Sequence, residues 1–260
     1  MRPKPSLAIL LCVAPVLALA QTADLEFEAE TTVTSADIRR GRVLNDEFCL
    51  QPSATARRGG LALNVWGTWN LTAGGEDGSE RIATTLSADA TRARQTVATG
   101  VIAYNYLDEA GPPSEDTVEV FFNYALDVPS LPSLTIYYDC GEFDGFYASL
   151  ALSHSVELPA QRAALDLQAA VGAGDEEYAR TLFSFPADEA AGLAAFEPDG
   201  ASLLDLTLDA ALPVKLTDRI VLTPAVRHMI VLDSDIRRAA DDAGEDTDAT
   251  AFRLALSARF

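Results

Sequence analysis

Apolar and polar positions alternate with period two along nearly the whole chain beyond its first twenty residues. The C-terminal stretch is the clearest case. Phe252, Leu254, Leu256, Ala258 and Phe260 share one face, and Arg253, Ala255, Ser257 and Arg259 share the other. Such spacing predicts a strand with one apolar and one polar side. About twelve segments of this kind can be counted, at 25–35, 47–57, 60–71, 81–91, 96–107, 116–127, 132–139, 144–158, 162–173, 202–213, 218–233 and 249–260. Most have about ten residues or more, the length a tilted strand needs to cross the hydrocarbon layer of a bilayer. An even number is the rule for bacterial single-chain barrels. The pattern therefore predicts an all-β fold, a single antiparallel transmembrane β-barrel of about 12 strands.

The connections between segments carry a second pattern. Every other one is short: Arg57 to Gly60, Ala93 to Gln95, Val128 to Leu131, Pro159 to Gln161 and Val214 to Thr217. Those between them are mostly longer and more acidic, including Thr72 to Glu80, Asp108 to Glu115, Gly174 to Ala201 and Ser234 to Thr247; Cys140 to Phe143 is a short exception. Membrane barrels have short periplasmic turns and long outer loops, so both termini are expected in the periplasm. A soluble β-sandwich or lipocalin-like barrel would show the same alternation with its apolar face inside. It needs neither the alternating loop lengths nor the terminal Phe260, which suits the signal read by the barrel assembly machinery.

The N-terminus fits export. Arg2 and Lys4 precede an uncharged apolar run from Ser6 to Leu17, and Ala18-Leu19-Ala20 offers small residues to a signal peptidase. Residues 1–20 are expected to be a cleaved signal peptide, and residues 21–260 the barrel. Leu10 and Leu11 before Cys12 argue against lipidation. The run is too short for a membrane-spanning helix, and no longer one follows.

Charge then narrows the function. The formal net charge is −20, and −22 without Arg2 and Lys4. Phosphate backbones would repel such a chain, which argues against nucleic acid as a partner. About half the residues are hydrophobic (48%), which argues against disorder. The expected surroundings are those of the Gram-negative cell outer membrane, lipid and lipopolysaccharide. Cys49 and Cys140 are too few for a disulfide scaffold. The strands bearing them are expected almost opposite each other, so a bond would need the loops to fold inward.

Candidate chemistry is sparse. The mature chain has two histidines, His154 and His228. Ser153 and Ser155 flank His154 directly and so take the opposite face of a strand, which argues against a Ser–His hydrolase. His228 shares a face with Val226, Ile230 and Leu232 and is expected at the outer membrane interface, or at a bulge that shifts the register. No second His or Cys stands at metal-ligand spacing. No catalytic residue, metal or cofactor is expected, and the chain reads as a non-enzyme. Asp241 to Asp248 has calcium-loop composition without EF-hand spacing. A solvated acidic loop is expected, with weak divalent-cation binding at the acidic outer loops as the other reading. Trp66 and Trp69 take opposite faces. Tyr104, Tyr106, Phe122, Tyr124, Tyr138 and Phe146 suit an aromatic girdle at the headgroup layer.

The polar face is more informative. Glu26, Glu28 and Glu30 alternate along the first strand, which in a closed barrel pairs with the last, whose inward face carries Arg253 and Arg259. Asp89, Glu119, Glu157, Asp166, Asp205 and Asp209 also fall inward, with Arg227. Asp205 and Asp209 are the first candidates for ion selectivity, because the arginines of the seam can neutralise the three glutamates.

Several stretches resemble the TorF-type porins and related proteobacterial outer-membrane barrels of unknown function. They are Thr34-Ser35-Ala36-Asp37-Ile38-Arg39-Arg40-Gly41 with Gln51-Pro52 and Gly60 to Gly67; Pro132 to Asp139 with Gly145-Phe146-Tyr147 and Ser153-His154-Ser155; and Leu212 to Asp218 with Leu222-Thr223-Pro224 and Leu232 to Asp235. The resemblance implies a barrel and a porin role and supplies no catalytic residues. Eight-stranded barrels are filled by side chains and sixteen-stranded ones hold a channel, so twelve strands leave two readings open. One is a narrow passive pore for small solutes with cation preference. The other is a non-conducting structural or surface-interaction barrel with a plugged lumen. Mass spectrometry of the exported protein should find Gln21 at its N-terminus; a mature chain that retains Met1 would overturn the cleavage expectation.

Overall fold

The computed structural model describes residues 24–72, 80–107, 116–141, 144–158, 162–187 and 192–260. The expected signal segment lies outside them, as do parts of several connections. Twelve strands form the wall: β1 (Leu25–Thr34), β2 (Cys49–Arg58), β3 (Leu61–Asn70), β4 (Arg81–Arg92), β5 (Gln95–Tyr106), β6 (Thr117–Leu126), β7 (Ser133–Asp139), β8 (Phe146–Glu157), β9 (Ala164–Gly174), β10 (Ser202–Ala211), β11 (Ile220–Val231) and β12 (Asp248–Arg259). Each pairs antiparallel with its neighbours in the chain, and β12 pairs with β1. The ring is closed, so no strand edge is left to be satisfied by solvent or lipid.

Alternation sorts the side chains as the sequence predicts. Leu63, Val65, Leu86, Leu150, Leu152, Leu208, Phe252, Leu254 and Leu256 are exposed on the outer face. Their chain neighbours point into the bore. Toward the short-turn end the inward groups are small and half-buried, among them Ser53, Thr55, Thr85, Ser87, Thr135 and Ser149. Toward the long-loop end they are buried: Thr34, Cys49, Thr68, Arg81, Thr117, Glu119 and Asp139 are at most 4% exposed.

Chain from three long-loop connections fills that end. The β1–β2 connection forms a hairpin, Asp37–Arg39 against Arg42–Asn45. The β9–β10 connection contains helix α1 (Glu176–Phe183), and the β11–β12 connection contains helix α2 (Ser234–Ala243). Tyr178, Ala179, Leu182 and Phe183 of α1 and Ile236 of α2 form one apolar cluster with Ile38, Leu204, Met229, Val231 and Ala251. Both helices were expected as loops. At 8 and 10 residues they are too short to be stable alone and depend on docking and caps. The Asp175 carboxylate accepts the Tyr178 N–H, and Asp233 accepts those of Asp235 and Ile236. Partial burial pushes the Asp233 carboxyl up. Those N–H donors and the Ser202 hydroxyl outweigh it and hold the group below the ordinary range.

A bulge in β10 serves the same packing. The register with β9 shifts so that Gly172 faces Asp205 while Ala173 faces Leu203, and Leu204 is the extra residue. Both Leu204 and Asp205 are consequently buried, at 0% and 2% exposed, while Leu203 is 58% exposed. Leu204→Ala should therefore cost about 2–5 kcal/mol, the range for emptied core positions, and Leu203→Ala much less. Urea midpoints of the folded, unheated gel band in lipid vesicles would check this. Equal effects of the two changes would show that the bulge does not aim Leu204 inward.

Candidate functional site

The hairpin reaches across the bore. Its tip, Arg40-Gly41, has φ of +48° and +85°, the left-handed pair of a type I′ turn, where Asn and Gly are favoured. An arginine there costs about 1–2 kcal/mol of backbone strain. Its side chain offsets this. The guanidinium donates from Nη1 to Glu119 Oε1 (2.5 Å) and from Nη2 to Glu119 Oε2 (3.0 Å), a two-point contact with β6. Nη1 also donates to the Tyr178 hydroxyl of α1 at 2.7 Å. The rings of Tyr137 on β7, Tyr147 on β8 and Tyr178 surround it at 4.1, 4.8 and 5.7 Å, within cation–π reach.

Further contacts hold the hairpin to the wall. Arg39 lies 3.5 Å from Glu119 and over Tyr104 at 4.2 Å, and the Tyr104 hydroxyl donates to Glu119 at 3.2 Å. Asp37 pairs with Arg81 of β4 at 2.8 Å and accepts from Gln51 of β2. Arg42 donates to the Leu182 carbonyl at the C-terminal end of α1. The partners lie on β2 and on β4 through β8, so the hairpin lies within the ring. Glu119 was expected in the lumen; the two arginines that meet it entered only as part of the stretch resembling TorF-type porins, with no place in the bore. The signal for them was Arg-Gly, a turn-forming pair, in a connection too short for two further wall strands. Tyr104 and Tyr106, expected in the girdle, face the bore instead, in register with Thr117 and Arg81.

The remaining inward acids divide by partner. Asp209 is gripped by Arg227 through two hydrogen bonds of 2.9 and 3.2 Å, with Arg253 at 3.6 Å. Asp205 accepts from Tyr147 and Thr207. At the seam Arg259 pairs with Glu28 at 3.1 Å. Arg253 faces Thr34 and reaches Asp209 rather than the glutamates of β1. Glu26 stands opposite Arg57, which pairs with Asp89, and Glu30 accepts from Thr32. Phe260 follows β12 and exchanges backbone hydrogen bonds with Phe27. His154 and His228 face outward, bonded to the Pro129 carbonyl and the Thr250 hydroxyl. Among the described residues no His, Cys, Asp or Glu cluster could hold a metal ion.

Both cysteines are free; Cys49 is buried and Cys140 exposed. Partial burial raises the Cys140 thiol above its ordinary range, and the Asp139 carboxylate adds to it.

No family model matches the chain, and no curated protein does. Solved structures do. The KdgM porin matches over 90% of this chain and 99% of its own, at 9% identity and a TM-score of 0.51. A protein studied for the in-meso crystallisation of membrane proteins matches over 90% of this chain and 84% of its own, at 8% identity and a TM-score of 0.50. The NanC porin matches at 8% identity, over 90% and 99%, with a TM-score of 0.47. At such identities the likeness is one of fold: a closed antiparallel 12-strand barrel.

Glu119→Gln should destabilise the folded barrel by about 3–5 kcal/mol, because it leaves the buried Arg40 without its counter-charge. Glu28→Gln at the exposed seam should cost at most about 1 kcal/mol. Urea titration of the two variants would compare them, and equal losses would show that the Arg40 contact carries no special weight. With maleimide in detergent at pH 8, Cys140 should react without denaturant, though more slowly than free cysteine because little thiolate is present. Cys49 should react only after unfolding. Modification of both at equal rates would contradict the filled loop end.

Proposed function

We propose that this chain is an outer-membrane barrel for passive diffusion of small solutes, cation-preferring and without enzymatic activity. Its bore is set by the hairpin that Arg40 pins to Glu119. That contact, across the filled long-loop end of a bore whose short-turn end carries small half-buried groups, is the observation that carries the reading. The signal-like N-terminal segment, the apolar outer face of the wall and the fold likeness support a place in the outer membrane. Lipopolysaccharide lies around the barrel, and the assembly machinery reads its last strand. Short turns then face the periplasm and the hairpin end faces outward. The stretches that resemble TorF-type porins support the same passive role.

The cation preference rests on inward acids that outnumber inward arginines, in a low-dielectric tube that concentrates counter-ions. Asp209 is neutralised by two arginines, and Asp205 is buried among hydroxyls. Among the described residues, no arginine lies within salt-bridge distance of Glu26 or Glu30. The preference is therefore assigned first to Glu26 and Glu30, and only second to Asp205 and Asp209.

A second reading is a sealed barrel with a structural or surface-interaction role. The apolar cluster around Tyr178, Leu204 and Met229 favours it, because a packed core in the bore resists opening.

Reversal potentials under a salt gradient in planar bilayers test both. The wild type should give small cation-preferring currents that lose selectivity at high salt. Glu26→Gln with Glu30→Gln should weaken the preference more than Asp209→Asn. Anion preference would reject the assignment. Silence in the wild type, and in a variant with residues 37–45 replaced by a short glycine linker, would favour the sealed barrel.

A further inference from the structure

The surroundings of the Arg40 side chain have the composition of a receptor. Three tyrosine rings from β7, β8 and α1 lie within 5.7 Å of the guanidinium carbon, and one carboxylate takes two of its N–H groups. Aromatic faces attract a delocalised cation. A carboxylate that accepts two parallel N–H bonds selects a planar guanidinium over a compact ammonium or a metal ion. The occupant here belongs to the chain itself, and it is delivered under strain. Arg40 holds φ of +48° at a turn position that asparagine or glycine would fill without cost. The turn is also seated tightly: a Cβ on Gly41 would meet the Asp205 Cβ at 3.2 Å. A turn designed only to reverse the chain would need neither the arginine nor that fit.

We propose that Glu119, Tyr137, Tyr147 and Tyr178 form a binding site for small organic cations of the guanidinium class, which Arg40 fills as an internal ligand. A solute of that class competes with Arg40 for the cage, and displacement of the arginine frees the hairpin tip. The gating role rests on the channel reading above; the binding site itself does not. Glu119 supplies the charge that excludes anions. Arg39 stays over Tyr104 and, 3.5 Å from Glu119, shares that carboxylate with the solute.

The test uses Arg40→Asn, which removes the internal ligand, suits the turn and leaves Arg39 beside Glu119; the heat-shifted gel band checks that it folds. Methylguanidinium is titrated calorimetrically into the detergent-solubilised full barrel, with methylammonium as the control. Arg40→Asn should bind methylguanidinium about tenfold or more tighter than the wild type does, and tighter than it binds methylammonium. Adding Glu119→Gln should abolish the gain. Should that double variant fail to fold, as judged by the heat-shifted gel band, Arg40→Asn with Tyr137→Leu replaces it and should weaken binding. No gain in Arg40→Asn, or a gain indifferent to both second changes, overturns the proposal. In bilayers methylguanidinium should block the Arg40→Asn current. Binding without any current in that variant or in the glycine-linker variant leaves the cage standing and removes the channel reading.

Discussion

The two-point contact between Arg40 and Glu119 constrains everything at the long-loop end of the barrel. Both side chains are buried, at 10% and 1% exposed, and burying either alone would be costly. The pair is supportable because each remaining valence is met nearby. Tyr104 and Arg39 complete the carboxylate, and Tyr178 and three ring faces complete the guanidinium. Once the hairpin tip is fixed there, Arg42 is placed to hold the end of α1, and Asp37 to hold Arg81. The apolar faces of both helices then close over Leu204 and Met229. Polar and apolar packing in the bore are thus one arrangement.

The wall makes this possible by being indifferent to it. A closed antiparallel ring satisfies its own backbone and presents leucine, valine and phenylalanine outward whatever occupies its interior. The inner face is free to carry tyrosines and a glutamate at one end and serines and threonines at the other. That division gives one barrel a filled half and a half-exposed half, and the strand count alone decides neither.

Much of the wall was legible in the sequence, because period-two alternation over ten residues is a strong and local signal. The segment 202–213 became Ser202–Ala211, and 249–260 became Asp248–Arg259. The contents of the bore were not. The hairpin strands have three and four residues, too few for alternation to register, and the helices draw their stability from tertiary contacts. Tyr104 was placed in the girdle because an amphipathic ring near a strand end suits the headgroup layer; pairing with the inward Thr117 turns it into the bore. Arg253 was matched to the seam glutamates by proximity in the ring. The small Ala225 opposite it lets the side chain pass to Asp209 instead. Glu119 was placed correctly by parity, without its partners, since nothing local links it to a residue 79 positions earlier.

That separation has a kinetic consequence. The hairpin is synthesised with the first two strands, yet its tip finds its carboxylate on β6, its rings on β7, β8 and α1, and its seat against β10. Contacts so distant along the chain form late in folding, after the loops between them have been closed. The wall therefore assembles around a segment that has no docking place until most of the later strands are in position. Docking of the hairpin waits on strands far along the chain, and the packing of the bore is completed no earlier than they are.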